Sequence, residues 1–230
     1  MEKMMTGIIR PLAVAALLAM CASPSVADEA ANVLPSPLVD NESAQSSETA
    51  VLAGGCFWGM QGVFQHVKGV KRVLAGYSGG ARDTAHYEEV GSGTTGNAES
   101  VQIVFDPKIV SYGQILRIYF SVMDPTTLDY QGPDEGTQYR SEIFYANPDQ
   151  LRIAKAYVAQ LSKAQVFSAP IVTQIGALHG FYPAEAYHQD YLILHPYQPY
   201  IVINDLPKIA KLKHLYPQFY AEKPVRVTQN

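Results

Sequence analysis

The spacing of apolar and polar residues predicts a chain in which short strands alternate with amphipathic helices. Apolar runs bounded by Gly, Pro or Asp are typical of strands, and they occur at 49–53, 70–77, 98–105, 139–146 and 171–178. Apolar residues at helical spacing occur at 56–67, 111–120, 147–161, 183–194 and 206–215. Up to residue 194 the order of these elements is βαββαβαβα, which predicts an α+β fold, with helices packed on a mixed β-sheet in a ferredoxin-like two-layer core.

The first 47 residues follow a different pattern. Lys3 and Arg10 precede the apolar run 12–22, which has 11 residues, whereas a membrane-spanning helix needs about 20. Ser25-Val26-Ala27 then gives the small-x-small pattern of a signal peptidase site, and the segment after it lacks aromatic residues, Lys and Arg. We therefore predict a signal peptide at 1–27, a flexible linker at 28–47 and one folded domain at 48–230, without a stable membrane span.

A signal peptide predicts secretion across the inner membrane, and we expect the protein to be periplasmic. Cys21 offers an alternative, because a cysteine near the end of such a run can be the lipid-modified residue of a lipoprotein. The bulky Met20 stands where a small residue is expected before a lipidated cysteine. Lipidation of Cys21 is therefore the less favoured expectation.

Composition and charge exclude several classes of protein. With 47% hydrophobic and 17% charged residues, the chain is neither a collagen, a coiled coil nor a disordered protein. The formal net charge of −4 argues against a nucleic-acid partner. The 6 histidines show no HExxH motif, and the 2 cysteines are too few for a Cys-rich zinc module, so we predict no metal site.

Cys56 is the first candidate for chemistry. It follows Gly54-Gly55 and opens a predicted helix, whose unpaired N–H groups favour a thiolate over a thiol. Phe57 and Trp58, the one tryptophan of the chain, come directly after it and could form an apolar wall. The alternative is a structural buried cysteine.

Glu99 is the second candidate. In the alternating strand 98–105 it shares a face with Val101, Ile103 and Phe105. A carboxyl group on an apolar face is costly when ionised, so we expect a raised pKa, which suits a general acid near neutral pH. The alternative is a carboxylate at the end of the strand that points into water.

Six motifs in one order resemble the methionine sulfoxide reductase A family. They are GGCFWG at 54–59, GYSGG at 76–80, TGNAE at 95–99, DPTT at 124–127, QGPDEGTQYRS at 131–141 and FYPAEAYHQ at 181–189. Together they span roughly residues 48–220, which is far more specific than any single motif. The chain is identified as a member of this family, and the domain 48–230 as its catalytic domain.

The resemblance implies reduction of the S epimer of methionine sulfoxide, free or in proteins, to methionine. By motif, Cys56 is the nucleophile that attacks the sulfoxide sulfur and Glu99 the acid that protonates its oxygen. The implied substrate-binding residues are Phe57 and Trp58 for the methyl group, Tyr87 and Tyr139 for the sulfoxide oxygen, Asp134 for orientation, and Tyr200 at the border of the site.

The chain departs from the family pattern in one respect. Many members carry a resolving cysteine near the position of Ile201, whereas this chain has no cysteine after Cys56. Cys56 therefore cannot form an internal disulfide with a later cysteine of this chain. We expect no bound cofactor and an external thiol reductant, a thioredoxin-like or glutaredoxin-like donor, as the redox partner.

Two other functions compete with the reductase. Cys56 activated by His188 or His86 would make a cysteine hydrolase or acyltransferase, although packing within its own helix is the more ordinary role for His188. A non-catalytic binding module could use the tyrosine-rich surface, since the chain has 15 tyrosines. The lysines of 206–215, among them Lys208 and Lys211, predict a solvated helix face.

Overall fold

The computed structural model describes residues 33–41 and 45–227, which belong to the unit Ala31–Asn230. The predicted signal peptide at 1–27 and the alternative of a lipidated Cys21 lie outside the described residues. The strands are β1 (Glu48–Gly54), β2 (Val70–Ser78), β3 (Ala98–Phe105), β4 (Tyr130–Gln131), β5 (Asp134–Glu135), β6 (Ser141–Tyr145), β7 (Gln174–Ala177) and β8 (Phe181–Pro183). The helices are α1 (Phe57–Gln65), α2 (Tyr87–Val90), α3 (Tyr112–Val122), α4 (Pro148–Lys163), α5 (Tyr191–Leu194) and α6 (Leu206–Leu215).

Six of the strands form one mixed sheet in the order β7-β6-β1-β3-β2-β8, and β4 pairs with β5 separately. The β6–β7 pair is parallel, and the other pairs of the large sheet are antiparallel. The run β1-α1-β2-β3-α3-β6 has the element order of the ferredoxin-like motif. The predicted α+β class, a mixed sheet with helices packed on it, is confirmed.

The two faces of the sheet bury different amounts of apolar surface. Ala50 and Leu52 of β1 belong to the main core with residues of the helices, whereas Val51 and Ala53 belong to a small second cluster. This division follows from the alternation of side chains along a strand. The large core therefore lies between the sheet and the helices, and the sheet carries β1 and β3 at its centre.

Two helix starts follow the signals in the sequence. The Ser111 hydroxyl accepts a hydrogen bond from the Gln114 N–H at 3.2 Å, and the Asn147 side chain accepts one from the Gln150 N–H at 2.9 Å. Each satisfies an N–H group that the first turn of a helix leaves unpaired. No helix in residues 33–41 and 45–227 combines the length and apolar character needed to cross a membrane.

The prediction of a helix over 183–194 is wrong. This stretch holds the end of β8, a 3₁₀ turn at Ala186–His188 and the short α5. Asp190 adopts a left-handed conformation with φ of 56°, and its N–H donates to the Gln61 Oε1 at 2.9 Å. The Gln189 Oε1 accepts from the Ala75 N–H at 3.0 Å. Hydrogen bonds to α1 and β2 thus override the local helical pattern.

Part of the segment predicted as a flexible linker is not free. The Leu34 carbonyl accepts from the Arg117 Nε at 2.7 Å, and the Pro35 carbonyl accepts from the Tyr157 hydroxyl at 2.9 Å. Asp40 accepts hydrogen bonds from the Ser111 hydroxyl and, at 3.1 Å, from the Gly113 N–H. Residues 33–41 therefore lie against α3 and α4, an arrangement that composition alone does not reveal.

Replacing Asp40 with Ala tests this attachment. The variant leaves the Gly113 N–H at the start of α3 without its acceptor, so we expect the free energy of unfolding to fall by about 1 kcal/mol. Urea denaturation with Asp83→Ala as the control measures the difference, because Asp83 is exposed in a surface turn. Equal stability of the two variants would contradict an ordered contact of residues 33–41.

Candidate active site

Cys56 stands where β1 passes into α1. Gly55 has a φ of 83°, which favours glycine, and a Cβ on it would lie 2.5 Å from the Cβ of Gln131. The turn therefore needs glycine both for its conformation and for close approach to the 124–138 loop. It leaves Cys56 as the N-cap of α1, buried and without a disulfide.

The surroundings of the thiol oppose its ionisation. Burial raises the pKa of Cys56 well above its ordinary value, and the carboxyl groups of Glu99 and Asp205 raise it further. The Lys208 ammonium and the backbone N–H of Trp58 lower the pKa, although the Cys56 side chain makes no capping hydrogen bond. The net direction is opposite to that expected from the helix N-terminus alone, because desolvation is the largest effect.

Glu99 lies in the central strand β3 beside the start of α1. It is 4% exposed, and its Oε2 accepts a hydrogen bond from the Phe57 N–H at 2.9 Å. Burial raises the pKa of Glu99 to about 8, against the lowering effect of that hydrogen bond. The expectation of a raised carboxyl pKa therefore agrees with the structure, and the alternative of a solvated strand end is wrong.

The aromatic residues after Cys56 form one wall of the site. Phe57 is buried and Trp58 half-buried. The Trp58 ring stacks on Tyr191 with centroids 3.9 Å apart, and its Nε1 donates to the Nδ1 of His188 at 3.1 Å. Tyr200 meets the Trp58 ring edge-on at 6.0 Å. These contacts fix the indole from several sides.

The structure brings the remaining predicted residues to the same place. Tyr87 and Tyr139 are half-buried, and each interacts electrostatically with Cys56 and Glu99. Burial, the largest effect, raises the pKa of both phenols, so both remain protonated donors. The Tyr200 hydroxyl donates to Asp134 and also interacts with Cys56. The eight predicted residues thus form one site around the thiol.

The sequence did not point to Tyr191 or Asp205 as site residues. It favoured packing within a helix for His188 and a solvated helix face for Lys208. His188 does not serve its own helix: its Nδ1 accepts from Trp58, and its buried Nε2 has no hydrogen-bond partner among the described residues. The FYPAEAYHQ motif held the signal for His188, but its partner is 130 residues away. No local pattern marks Asp205, whose importance depends on its burial in the folded chain.

The geometry favours neither a hydrolase nor a metal site. A cysteine hydrolase requires an imidazole in hydrogen-bond reach of the thiol, yet the Nδ1 of His188 accepts from Trp58, and no histidine is among the groups with the largest effects on the pKa of the thiol. His86 is exposed. Within the described ranges, no cluster of three or more His, Cys, Asp or Glu side chains has the arrangement of a metal site.

The arrangement combines a nucleophilic sulfur, a protonated carboxyl group and an apolar wall. A carboxyl with a pKa of about 8 carries its proton at neutral pH and can give it to a developing oxyanion. The aromatic wall can hold an apolar substituent beside the sulfur. The site therefore suits attack on a polar centre that bears both an oxygen and a small apolar group.

Comparison with known proteins gives a single family. The model of the peptide methionine sulfoxide reductase family matches residues 48–219. The peptide methionine sulfoxide reductase MsrA 2 of Mesorhizobium japonicum is 60% identical over 190 residues, covering 82% of this chain and 97% of the relative. That of a Synechocystis strain is 48% identical and covers 80% and 88%.

Solved structures agree with the curated relatives. Methionine sulfoxide reductase A of Corynebacterium diphtheriae is 31% identical with a TM-score of 0.58, covering 76% of this chain and 93% of its own. Mxr1 from Saccharomyces cerevisiae in reduced form is 30% identical with a TM-score of 0.60, covering 69% and 91%.

The fluorescence of the single tryptophan offers a test of the Trp58–His188 contact. Burial lowers the pKa of His188 from 6.5, against a raising effect of Glu185. Protonation converts the Nδ1 acceptor into a donor, so we expect the Trp58 emission to change with a midpoint below pH 6.5. His188→Gln should abolish this change and the exposed His179→Gln should retain it; a change that persists in His188→Gln would contradict the contact.

Proposed function

Because the chain belongs to the peptide methionine sulfoxide reductase family and is an enzyme that reduces methionine sulfoxide, we propose the following reaction. Cys56 attacks the sulfur of the S epimer of methionine sulfoxide, free or in proteins, and Glu99 protonates the sulfoxide oxygen. The observation that carries the proposal is the hydrogen bond between the Phe57 N–H and the Glu99 Oε2 at 2.9 Å. This bond holds the buried Glu99 against the backbone of the residue that follows the nucleophile.

Proton transfer accounts for the attack. Glu99 gives its proton to the sulfoxide oxygen and takes up the proton of the Cys56 thiol, so the sulfur attacks as a thiolate. The oxygen ends on the Cys56 sulfur as a sulfenic acid, and the substrate leaves as the thioether of methionine. Two electrons pass from the cysteine sulfur to the methionine sulfur, and Glu99 finishes protonated.

The substrate is recognised by the wall and by hydroxyl groups. We assign the methyl group to Phe57 and Trp58, whose rings are 6.5 Å apart. Tyr87 and Tyr139 donate to the sulfoxide oxygen, because their hydroxyls remain protonated and both interact with Cys56 and Glu99. The Tyr200 hydroxyl donates to Asp134 instead, so this pair orients the substrate from the border of the site.

The sulfenic acid is reduced from outside. Two thiol groups of a thioredoxin-like or glutaredoxin-like donor convert the Cys56 sulfenic acid to the thiol, with release of water and formation of a disulfide in the donor. Cys56 is the only cysteine in residues 33–41 and 45–227, which supports reduction without a resolving cysteine of this domain.

The reaction takes place, in our proposal, after secretion across the inner membrane into the periplasm. This part rests on the charged start, the apolar run 12–22 and the Ser25-Val26-Ala27 pattern. Cell fractionation and the mass of the amino-terminal peptide test it. A periplasmic protein that begins at Asp28 supports the proposal, and a lipid on Cys21 would replace it with the lipoprotein alternative.

Stereoselective turnover is the first test of the reaction. We expect the full chain, given a racemic methionine sulfoxide derivative and dithiothreitol, to consume the S epimer alone, as resolved by chiral chromatography. Cys56→Ser should reduce turnover to background, because a hydroxyl cannot accept the oxygen as a sulfenic acid. A folded protein that consumes neither epimer but hydrolyses esters or thioesters would favour the hydrolase.

The role of Glu99 predicts a dependence on pH. The proton of Glu99 is present below its pKa of about 8, so we expect activity to fall as the pH rises through that value. Glu99→Gln should lower kcat by a factor of about 10² to 10⁴ and remove this part of the profile. Glu89→Gln, at an exposed carboxyl, is the control; a Glu99→Gln variant with an unchanged profile would sink the assignment.

A further inference from the structure

An ion pair that the reaction does not account for lies against the helix of the nucleophile. Asp205 ends a π-helical turn at Ile201–Asp205, and Lys208 lies in the first turn of α6. The Lys208 Nζ is 3.0 Å from the Asp205 Oδ1, and the side chains are 20% and 0% exposed. The predicted solvated face is therefore wrong for Lys208, which turns towards the protein.

The pair meets α1 at Gly59, three residues after Cys56. A Cβ on Gly59 would lie 2.1 Å from the Asp205 Oδ1 and 3.0 Å from the Lys208 Nζ. Gly59 is the third residue of α1, and Cys56 is the N-cap of the same helix. Both charges therefore lie beside the first turn that Cys56 opens, and the missing side chain of Gly59 makes the room.

The burial of Asp205 is only partly compensated by its own helix. Asp205 occupies the N-cap position of α6, where aspartate usually accepts a hydrogen bond from a backbone N–H of the first turn, but its side chain accepts none there and, in the described part of the chain, accepts only from the Lys208 Nζ at its Oδ1. Its buried Oδ2 has no hydrogen-bond partner among the described residues. Burial raises the pKa of Asp205 while Lys208 lowers it. A buried, incompletely bonded carboxylate destabilises a fold, so a role in the site is the better reason for it.

The charge balance around the thiol gives Lys208 a particular importance. Glu99 and Asp205 raise the pKa of Cys56, and the phenols of Tyr87, Tyr139 and Tyr200 interact with it while protonated. Lys208 is the one cation among the groups identified as acting on the thiol. Lys208 is therefore the group that can supply an opposite charge to a negative sulfur in this buried place.

We propose that Lys208 is a positioning residue that stabilises negative charge on the Cys56 sulfur, and that Asp205 holds the Lys208 ammonium against α1 at Gly59. This inference rests on the proposed role of Cys56 as the nucleophile. The two partners act on the sulfur with opposite sign. A merely structural pair would instead lose function in the same direction whichever partner is changed.

Alkylation of Cys56 in the full chain separates these cases without any sulfoxide. The rate with iodoacetamide follows the thiolate fraction, and mass spectrometry of the Cys56 peptide distinguishes it from Cys21. We expect Lys208→Met to lower the rate at fixed pH by about fivefold, because a unit charge at this range is lost. Asp205→Asn should raise the rate, since the amide oxygen still accepts from Lys208 while the negative charge is gone.

Matched variants complete the test. Lys208→Arg keeps the positive charge and should therefore retain a rate above that of Lys208→Met, and Lys211→Met, at an exposed lysine of the same helix, should leave the rate unchanged. An unchanged rate in Lys208→Met, or a lower rate in both Lys208→Met and Asp205→Asn, would overturn the proposal. If thermal denaturation shows that Lys208→Met does not fold, Asp205→Asn decides. A higher alkylation rate of Cys56 in Asp205→Asn supports the proposal, and a lower rate rejects it.

Sulfoxide turnover then gives an independent readout. Lys208→Met should lower kcat with KM unchanged, since Lys208 acts on the sulfur and does not touch the substrate; a change in KM alone would reject the role. A parent chain without sulfoxide turnover, but with the expected alkylation rates, would refute the proposed function and leave the charge assignment standing.

Discussion

The site depends on one hydrogen bond, between the buried carboxyl of Glu99 and the Phe57 N–H at the start of α1. A helix leaves its first N–H groups unpaired, and Cys56 does not cap them with its own side chain. Glu99 supplies the acceptor from the central strand of the sheet. The bond that satisfies the helix therefore also holds a protonated carboxyl group beside the thiol, so the same contact supports the fold and, in our proposal, the reaction.

Burial gives this site its electrostatic character. It is the largest cause of the raised pKa of both Cys56 and Glu99, so the site at rest holds a thiol and a protonated acid instead of a charged pair. The phenols around them also remain protonated. In our proposal the neutral thiol and acid keep their protons available for the sulfoxide oxygen, and they avoid burying uncompensated charge.

The carboxy-terminal part of the chain builds the other side of the site. His188 and Tyr191 fix Trp58, Tyr200 holds Asp134, and Asp205 with Lys208 covers α1 at Gly59. By the resemblance, many members of this family carry a resolving cysteine near this position. This chain has the buried Ile201 there. The segment that lacks the second thiol thus still packs beside the first one through aromatic contacts, and in our proposal its ion pair also acts on the sulfur.

The sequence by itself determined the features that depend on local pattern. The Gly54-Gly55 turn and the helical spacing after it placed Cys56 at a helix start, and the alternation of β3 placed Glu99 on an apolar face. Only the tertiary structure decided the break at Asp190, the attachment of residues 33–41 and the pairing of Asp205 with α1. Each of these rests on contacts between residues far apart in the chain, and such contacts override or add to local propensity without leaving a periodic signal.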